Sequence, residues 1–456
     1  MLENFFHLKE NGTTVRNEVI GGITTFMTMA YILAVNPNIL SASGMDRDAI
    51  LIATCLAAFI GTCLMGVLAN YPFALAPGLG LNAYFAYTVC GKMGYSWQVA
   101  LFAVFVEGLI FILLSLTNVR EAIFNAIPMT LKKGVGAGIG LFVAFIGFQN
   151  AHIVVNDDST LVTYVNFVKN WHTLGICALL AIIGLFIIVC LEMKKVHGAI
   201  LIGIVITWIL GMIMQATGVY VVDPEHGFYS LYPVFNITDF TKIKLTAGQC
   251  FNLDFKGVGI INFAIVCFSF LFVDMFDTIG TLIGVSDRAG MLDKDGKLPR
   301  VKNALLSDAV ATCAGAMLGT STTTTFVESS SGVGAGARTG LASIVTGFLF
   351  LVAVFFSPIF TSIPGFATAP ALLYVGFLMI SAVLDIQFTD IREAVPAYLT
   401  IISMPLMYSI AEGISMGVIS YVVINFVGNI ITDEKKKITP LMYVLAVLFV
   451  LKYIFL

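Results

Sequence analysis

The chain reads Thr320-Ser-Thr-Thr-Thr-Thr-Phe-Val-Glu-Ser-Ser-Ser-Gly-Val-Gly-Ala-Gly-Ala-Arg-Thr-Gly340 between long apolar segments. This polar, glycine-rich stretch holds one carboxylate, Glu328. Polar groups and irregular backbone are costly at the depth of a bilayer, and they persist where they line a cavity or are buried against protein. A second polar stretch lies upstream at Phe268-Ser-Phe-Leu-Phe-Val-Asp-Met-Phe-Asp-Thr-Ile-Gly-Thr281. The two stretches together predict a binding site inside a membrane protein.

The composition supports the membrane class. The 456 residues are 58% hydrophobic and 11% charged, whereas a soluble domain has about 25% charged residues. The net charge of -3 gives no indication of a nucleic-acid partner. The eight cysteines lack metal-type spacing, and the five histidines fall at termini or in predicted loops. We therefore expect an all-α polytopic membrane protein that binds no metal and no cofactor.

The apolar segments predict fourteen spans of about 20 residues each. They are 19–41, 48–70, 74–90, 97–118, 127–150, 172–191, 197–217, 258–286, 303–319, 325–338, 341–361, 365–386, 394–411 and 413–431. Basic residues concentrate in the loops after the even-numbered spans, such as Lys132-Lys133 and Lys435 to Lys437. The positive-inside rule then predicts a multi-pass protein of the cell membrane with a cytoplasmic N-terminus. Residues 438–456 form either a further span or an interfacial helix.

An internal repeat relates the two halves of the chain. Ile127-Pro128 and Ile363-Pro364 begin two spans that lie 236 residues apart, and Gly140 and Gly376 have the same offset. A repeat with an odd number of spans is inverted in the membrane, which is a frequent plan of transporters. The sequence therefore predicts a 7+7 inverted repeat, roughly 1–218 and 255–431, joined by an extracellular loop.

The third and tenth spans are predicted to be discontinuous. Ala76-Pro77-Gly78 removes a backbone donor, and the four threonines after Ser321 favour extended backbone. Asn82 and Glu328, which lie 246 residues apart, follow these breaks. Two short helices that begin at mid-membrane present unpaired N–H groups to a ligand. The alternative is that the glycines only permit close packing of helices.

The acidic residues of the spans are the candidate binding groups. Asp274, Asp277, Thr278 and Thr281 have the spacing of one helical face. Either they line a substrate or ion path, or they are structural hydrogen-bond partners of polar helix ends. Glu328 is interpreted as a binding residue, although Glu also stabilises the first turn of its own helix.

Three further acids have weaker assignments. Glu107 is either part of a proton relay or a structural hydrogen-bond partner. Asp308 is interpreted as a structural or gating contact near the cytoplasmic end of the ninth span. Glu412 precedes Gly413 at a predicted outer turn and is expected to be solvated.

Three motifs carry a family resemblance. Asn17-Glu-Val-Ile-Gly-Gly-Ile-Thr-Thr-Phe-Met-Thr-Met-Ala-Tyr-Ile-Leu-Ala-Val-Asn-Pro37, the 272–281 segment and the 320–340 stretch resemble the AzgA-like purine permeases of the nucleobase/cation symporter group. The resemblance implies a core domain and a gate domain, with dimerisation through the gate. It divides the chain into 1–118 (core, first half), 119–218 (gate, first half), 219–257 (extracellular loop), 258–362 (core, second half), 363–431 (gate, second half) and 432–456 (C-terminal tail).

The resemblance also assigns the site. It implies that Asp274, Asp277, Glu328 and Asn82 hold the base, and the Asp-x-x-Asp form favours hypoxanthine, guanine or adenine over uracil. A purine presents N–H donors, ring-nitrogen or carbonyl acceptors and flat apolar faces. Besides the acids, we expect Thr278 to contribute to the site and an aromatic residue, Phe73, Tyr84, Phe276 or Phe326, to stack on the base.

The expected activity is purine import by proton symport with alternating access. A buried carboxylate takes up a proton more readily than an exposed one, which can link protonation to substrate binding. Asp274, Asp277, Glu328 and Glu107 are the candidates for the proton, and Na⁺ is an alternative coupling ion. An anion transporter of the same fold is the second reading. No nucleophile or metal cluster suggests an enzyme.

Overall fold

The computed structural model describes residues 2–117, 127–223, 227–233, 238–253, 258–288, 291 and 298–455. The predicted end of the fourth span at 118 and parts of the 219–257 loop lie outside these ranges. The helices are α1 (Leu2–Phe6), α2 (Val15–Met29), α3 (Ile32–Leu40), α4 (Arg47–Leu64), α5 (Leu79–Ala83), α6 (Trp97–Leu116), α7 (Met129–Asn150), α8 (Ile176–Met193), α9 (Ala199–Ala216), α10 (Ile260–Arg288), α11 (Val301–Leu318), α12 (Ser329–Gly334), α13 (Gly340–Ala353), α14 (Ser357–Thr361), α15 (Gly365–Ile380), α16 (Ile391–Leu406), α17 (Ile410–Ile431) and α18 (Pro440–Phe455). The strands are β1 (Leu75–Pro77), β2 (Val154–Asp157), β3 (Leu161–Tyr164) and β4 (Thr323–Thr325).

Within the described ranges, nine helical segments are long and apolar enough to cross a membrane. They are Val15–Ser43, Arg47–Ala69, Trp97–Leu116, Met129–Asn150, Trp171–Met193, Ala199–Ala216, Gly340–Thr361, Gly365–Asp385 and Ile410–Ile431. Each matches a predicted span to within a few residues. The protein is therefore a helical polytopic membrane protein.

The other five predicted spans have a different physical character. Those at 74–90 and 325–338 are split between a strand and a short helix. α10 and α11 carry acids within their apolar runs, and α16 has 16 residues with two internal prolines. α16 also begins earlier than predicted, at Ile391, because the Asp390 carboxylate accepts a hydrogen bond from the Arg392 N–H at 3.1 Å and caps the helix. A count of fourteen is consistent with this structure but is not fixed by it.

Strands β1 and β4 join the two discontinuous spans. They pair antiparallel, with Leu75 opposite Thr325 and Pro77 opposite Thr323. The Phe326 N–H donates to the Ala74 carbonyl at 3.0 Å and so extends the ladder beyond the strands. All residues of both strands are buried. Extended backbone is tolerated at this depth because each strand satisfies polar groups of the other.

The N-terminal segment fixes the position of the second discontinuous span. Glu18 is fully buried in α2, and its carboxylate accepts hydrogen bonds from the backbone N–H groups of Arg338 at 2.8 Å and Thr339 at 3.2 Å. Thr13 donates its hydroxyl to the same carboxylate at 2.8 Å. A carboxylate at the start of a helix satisfies orphan N–H groups, so Glu18 stabilises the start of α13 and holds the preceding loop.

Residues that the repeat relates to each other are in contact. A Cβ built on Gly376 would lie 2.5 Å from the carbonyl oxygen of Gly140, and one built on Gly140 would lie 2.9 Å from that of Gly376. Pro77 and Thr323, which differ by the offset of the third and tenth spans, are paired in the ladder. Contacts between equivalent positions are typical of a two-fold axis that relates two repeats. Gly140 of α7 therefore permits close packing against α15.

We predict that Gly140→Val destabilises the protein, because the added atoms would meet backbone of α15. Overpacking of this kind costs about 1–3 kcal/mol. The matched control is Gly136→Val in the same helix, since a Cβ at Gly136 would meet nothing within 4 Å. Fluorescence-detected size exclusion after heating should show a lower melting temperature for Gly140→Val than for Gly136→Val. Equal melting temperatures would contradict the close α7–α15 contact.

Candidate functional site

Glu328 lies three residues after the end of β4 and is hydrogen-bonded to the first membrane segment. Its side chain is 8% exposed, and Oε1 accepts a hydrogen bond from the Tyr31 hydroxyl at 2.6 Å. Tyr31 occupies the break between α2 and α3 and is buried. The Tyr31–Glu328 hydrogen bond therefore joins the break in the first membrane segment to the discontinuous tenth span. Sequence reasoning missed Tyr31, and the only signal was its place inside the first of the three family motifs, Asn17 to Pro37.

Asp277 faces the same space from α10. It is half-buried, and its Oδ2 lies 3.5 Å from where a Cβ on Gly78 would stand, at the end of β1. Asp277 interacts electrostatically with Asp274 and Glu328 and with Tyr31. The structure therefore brings together acids that lie about fifty residues apart in the sequence, as predicted, with the backbone of the third span beside them.

Thr278 is the centre of a second, fully buried group. The Thr278 Oγ1 lies 2.9 Å from Asp274 Oδ1, 3.1 Å from both carboxylate oxygens of Asp308, and 2.7 Å from Thr324 Oγ1. One hydroxyl therefore links two acids and β4. We call Asp274, Thr278, Asp308 and Thr324 the Thr278 cluster.

The structure gives Asp308 a structural contact, which was one of its two predicted roles. It is fully buried in α11 against Thr278, and its place near the cytoplasmic end of the span stays a prediction. The signal that could have placed it is the i, i+4 spacing to Thr312, whose hydroxyl donates to the Thr323 carbonyl at 3.0 Å. Both side chains thus lie on the face of α11 that packs on β4.

The polar run before β4 is anchored to three other helices. The Thr320 hydroxyl accepts from Asn36 Nδ2 of α3 at 3.1 Å. Ser321 donates to the side-chain oxygen of Asn82 in α5, and Thr322 donates to Glu107 Oε2 of α6 at 2.8 Å. The run is extended because each residue finds a side-chain partner from a different element. Glu107 thereby has the structural hydrogen bond that was one of its two readings.

The predicted stacking residues lie near the site with part of their surface already used. Phe73 is fully buried and its ring stacks on Tyr71, with centroids 5.1 Å apart and planes at 19°. Phe326 is 7% exposed and follows β4 directly. Because Phe73 is fully buried, neither of its ring faces is open to a base in this structure, and Phe326 is the one of the two that keeps some exposed surface.

Glu412 differs from its expected solvated state. It is half-buried in the first turn of α17, and its carboxylate accepts a hydrogen bond from the Tyr453 hydroxyl of α18. The reason is the C-terminal helix, which covers this turn.

In the described ranges no group of three or more His, Cys, Asp or Glu side chains is arranged to hold a metal ion.

A separate cavity of about 1180 Å³ lies where α4 and α15 begin. Its lining includes Arg47, His152, Lys242 and Phe366, but none of the site acids. Arg47 donates to the Ile363 carbonyl at 2.7 Å and so ties the start of α4 to the loop before α15.

Comparison with known proteins gives one family and a shared fold. Residues 16–447 match the family profile Xan_ur_permease, described as a permease family. The chain is 42% identical to the adenine permease AdeP of Escherichia coli, over 100% of this chain and 96% of AdeP. It is 45% identical to the guanine/hypoxanthine permease PbuG of Bacillus subtilis, over 100% of each chain.

Among solved structures, the fold is similar to the transmembrane domain of the cyanobacterial bicarbonate transporter BicA. The TM-score is 0.62 at 15% identity, over 87% of this chain and 96% of that domain. At this identity the likeness concerns the fold alone.

Proposed function

Since the chain belongs to this permease family, we propose that it imports purine nucleobases, hypoxanthine, guanine or adenine, by proton symport with alternating access. Membership makes the protein a transporter and not an enzyme, and it confirms the resemblance drawn from the three motifs. The relatives named as adenine and guanine/hypoxanthine permeases align over the whole chain. Full-length similarity at this level supports a purine as the substrate class.

The observation that carries the proposal is the meeting of Glu328, Tyr31 and Asp277 beside the β1–β4 ladder. Glu328 and Asp277 supply acceptors for the N–H groups on a purine edge, and charged acceptors make the stronger hydrogen bonds. Tyr31 positions the Glu328 carboxylate through the 2.6 Å bond. Asn82 borders the same ladder from α5, and Phe326 follows β4 directly. In this proposal a base lies against the ladder with its N–H edge toward the carboxylates.

The proton is proposed to bind within the group formed by Asp277, Glu328 and the Thr278 cluster. Carboxylates that are buried close together repel one another, and binding a proton relieves the repulsion. Asp274 and Asp277 both belong to α10, so protonation at Asp274 and base binding at Asp277 act on one helix. Glu107 is the fourth candidate for the proton. Its hydrogen-bond partner, Thr322, directly follows Ser321, which donates to Asn82.

The domain plan is part of the proposal. α7 packs on α15 and α16, whereas α13 packs on α2 and α4, and α11 on α4 and α6. These two sets of contacts support a gate domain (119–218 with 363–431) beside a core domain (1–118 with 258–362). The contacts at Gly140–Gly376 and Pro77–Thr323 support the 7+7 inverted repeat. A cytoplasmic N-terminus, insertion in the cell membrane and a homodimer through the gate complete the proposal.

The second candidate is an anion transporter, favoured by the fold likeness to a bicarbonate transporter. Its weakness is electrostatic. Asp274, Asp277 and Glu328 present carboxylates to the proposed site, and they would repel an anion. Competition of uptake by bicarbonate or chloride, with no effect of purines, would favour this candidate.

We predict saturable uptake of radiolabelled hypoxanthine in cells that lack their own purine carriers. Excess adenine or guanine should reduce uptake at least fivefold, and uracil should leave it unchanged. A protonophore should reduce it at least fivefold, because the proton gradient drives accumulation, and replacement of Na⁺ by K⁺ should have no effect. A requirement for Na⁺ would contradict proton coupling, and no uptake of any purine at normal membrane levels would contradict the substrate class.

A further inference from the structure

The C-terminal helix α18 lies antiparallel along α17. At the end of α17, Asn429 and Lys436 exchange two hydrogen bonds of 2.8 Å each, which hold the segment before α18. At the start of α17, the Tyr453 hydroxyl near the end of α18 donates to Glu412. Residues 412 and 429 are about 25 Å apart along an α-helix. α18 therefore traverses the same depth as α17, which is itself long and apolar enough to cross a membrane.

α18 also contacts α10, the helix that carries Asp274 and Asp277. The Phe449 ring lies 5.9 Å from the ring of Phe268 and 6.2 Å from that of Phe272, two residues before Asp274. Met442 and Phe449 are buried on this face. The opposite face is apolar and open, with Val447 57% and Ile454 66% exposed. Such a helix has one face on protein and the other suited to lipid.

Helix α17, the other helix that α18 contacts, borders the proposed site. Ile410, the first residue of α17, has its Cδ1 3.2 Å from where a Cβ on Gly80 would stand in α5. α18 is thus anchored two residues from a position that packs on the third span. In the domain plan above, α10 belongs to the core and α17 to the gate.

We propose that α18 is an additional membrane-crossing helix that straps α10 to α17, and that the C-terminus lies on the opposite side of the membrane from Lys435 to Lys437. The crossing follows from the antiparallel contacts alone. The strap rests on the proposed function, since it acts only if transport moves the core against the gate. The Phe449 contacts with α10 must then break in each transport cycle. The strap therefore stabilises the conformation described here and slows the movement of the core against the gate.

The crossing is tested with topology reporters on the full chain. Alkaline phosphatase and green fluorescent protein are each fused after Leu456, and in a second pair each is inserted after Lys437 with residues 438–456 retained. With a cytoplasmic 435–437 segment, the fusions after Leu456 should give active phosphatase and no fluorescence, and those after Lys437 should give the reverse. Fluorescence after both positions would overturn the crossing. This result does not depend on what the protein transports.

The strap is tested with point variants at matched membrane levels. Phe449→Ala should raise the maximal rate of hypoxanthine uptake threefold or more, and Tyr453→Phe should raise it by a smaller factor. Leu448→Ala, on the open face at 49% exposure, is the control and should stay within 1.5-fold. Hypoxanthine binding in detergent should be unchanged within twofold for all three. Maximal rates of Phe449→Ala and Tyr453→Phe that are equal to or below the parent's would overturn the strap, whereas a parent without purine uptake would contradict the proposed function instead.

Discussion

Glu328→Gln is expected to lower hypoxanthine uptake at least 30-fold. The substitution keeps the shape of the side chain but removes its charge and replaces one acceptor oxygen by an NH₂ group. Loss of a hydrogen bond to a charged group costs about 1.5–3 kcal/mol, and each 1.4 kcal/mol is a factor of ten. The amide would also oppose the substrate N–H with a donor. Initial rates at a substrate concentration far below saturation, normalised to protein in the membrane, give the comparison.

Three further variants make this result specific. Glu328→Asp keeps the charge and should retain more uptake than Glu328→Gln. Tyr31→Phe removes only the 2.6 Å hydrogen bond and should reduce affinity about three- to tenfold, since a neutral hydroxyl positions the carboxylate without contacting the base in our proposal. Glu434→Gln, at an exposed position, is the matched control for the loss of a carboxylate. If the Glu328→Gln protein reaches the membrane and takes up hypoxanthine at the rate of the parent, Glu328 is not a binding residue.

Thr278→Val is the second change with a large expected effect. Valine has the shape of threonine without the hydroxyl that links Asp274, Asp308 and Thr324. Removing the shared hydroxyl from a fully buried group with two acids should cost about 2–4 kcal/mol. We expect a lower melting temperature in detergent and loss of at least nine-tenths of the uptake.

Thr278→Ser is the control, because it keeps the hydroxyl and removes one methyl group. It should retain uptake within about threefold of the parent. Thr281→Val adds a second comparison on the same helix, outside the hydroxyl contacts of the Thr278 cluster. A Thr278→Val protein with the melting temperature and uptake of the parent would show that the cluster neither stabilises the core nor contributes to transport.

Local chemistry within the chain was sufficient to predict the membrane class and the breaks in the third and tenth spans. Apolar runs of about 20 residues specify a membrane helix because the bilayer offers no other partner for the backbone. Pro77 and the threonines 322 to 325 specify extended backbone for equally local reasons. The presence of Glu328, Asp274 and Asp277 inside apolar segments predicted a site, because a carboxylate at the depth of the bilayer is costly and is usually found where it has a function.

The partners of those residues could not be read from the sequence. Helical periodicity predicts which side chains share a face, but it does not predict what the face contacts. Thr278 was correctly placed on the face of Asp274, yet its contact with Asp308 depends on the packing of α11 against α10 and β4. Tyr31 and Glu328 are 297 residues apart, and only the folded chain brings them within 2.6 Å.

The sequence by itself therefore determined that this protein is a polytopic membrane transporter with breaks in its third and tenth spans and acids in its eighth and tenth spans. Tertiary structure decided how those breaks pair as β1 and β4, which residues complete the site, and that α18 lies between α10 and α17. The physical reason is the range of the interactions: hydrophobicity and backbone preference act within one segment, whereas each hydrogen bond of the site joins segments that only packing brings together.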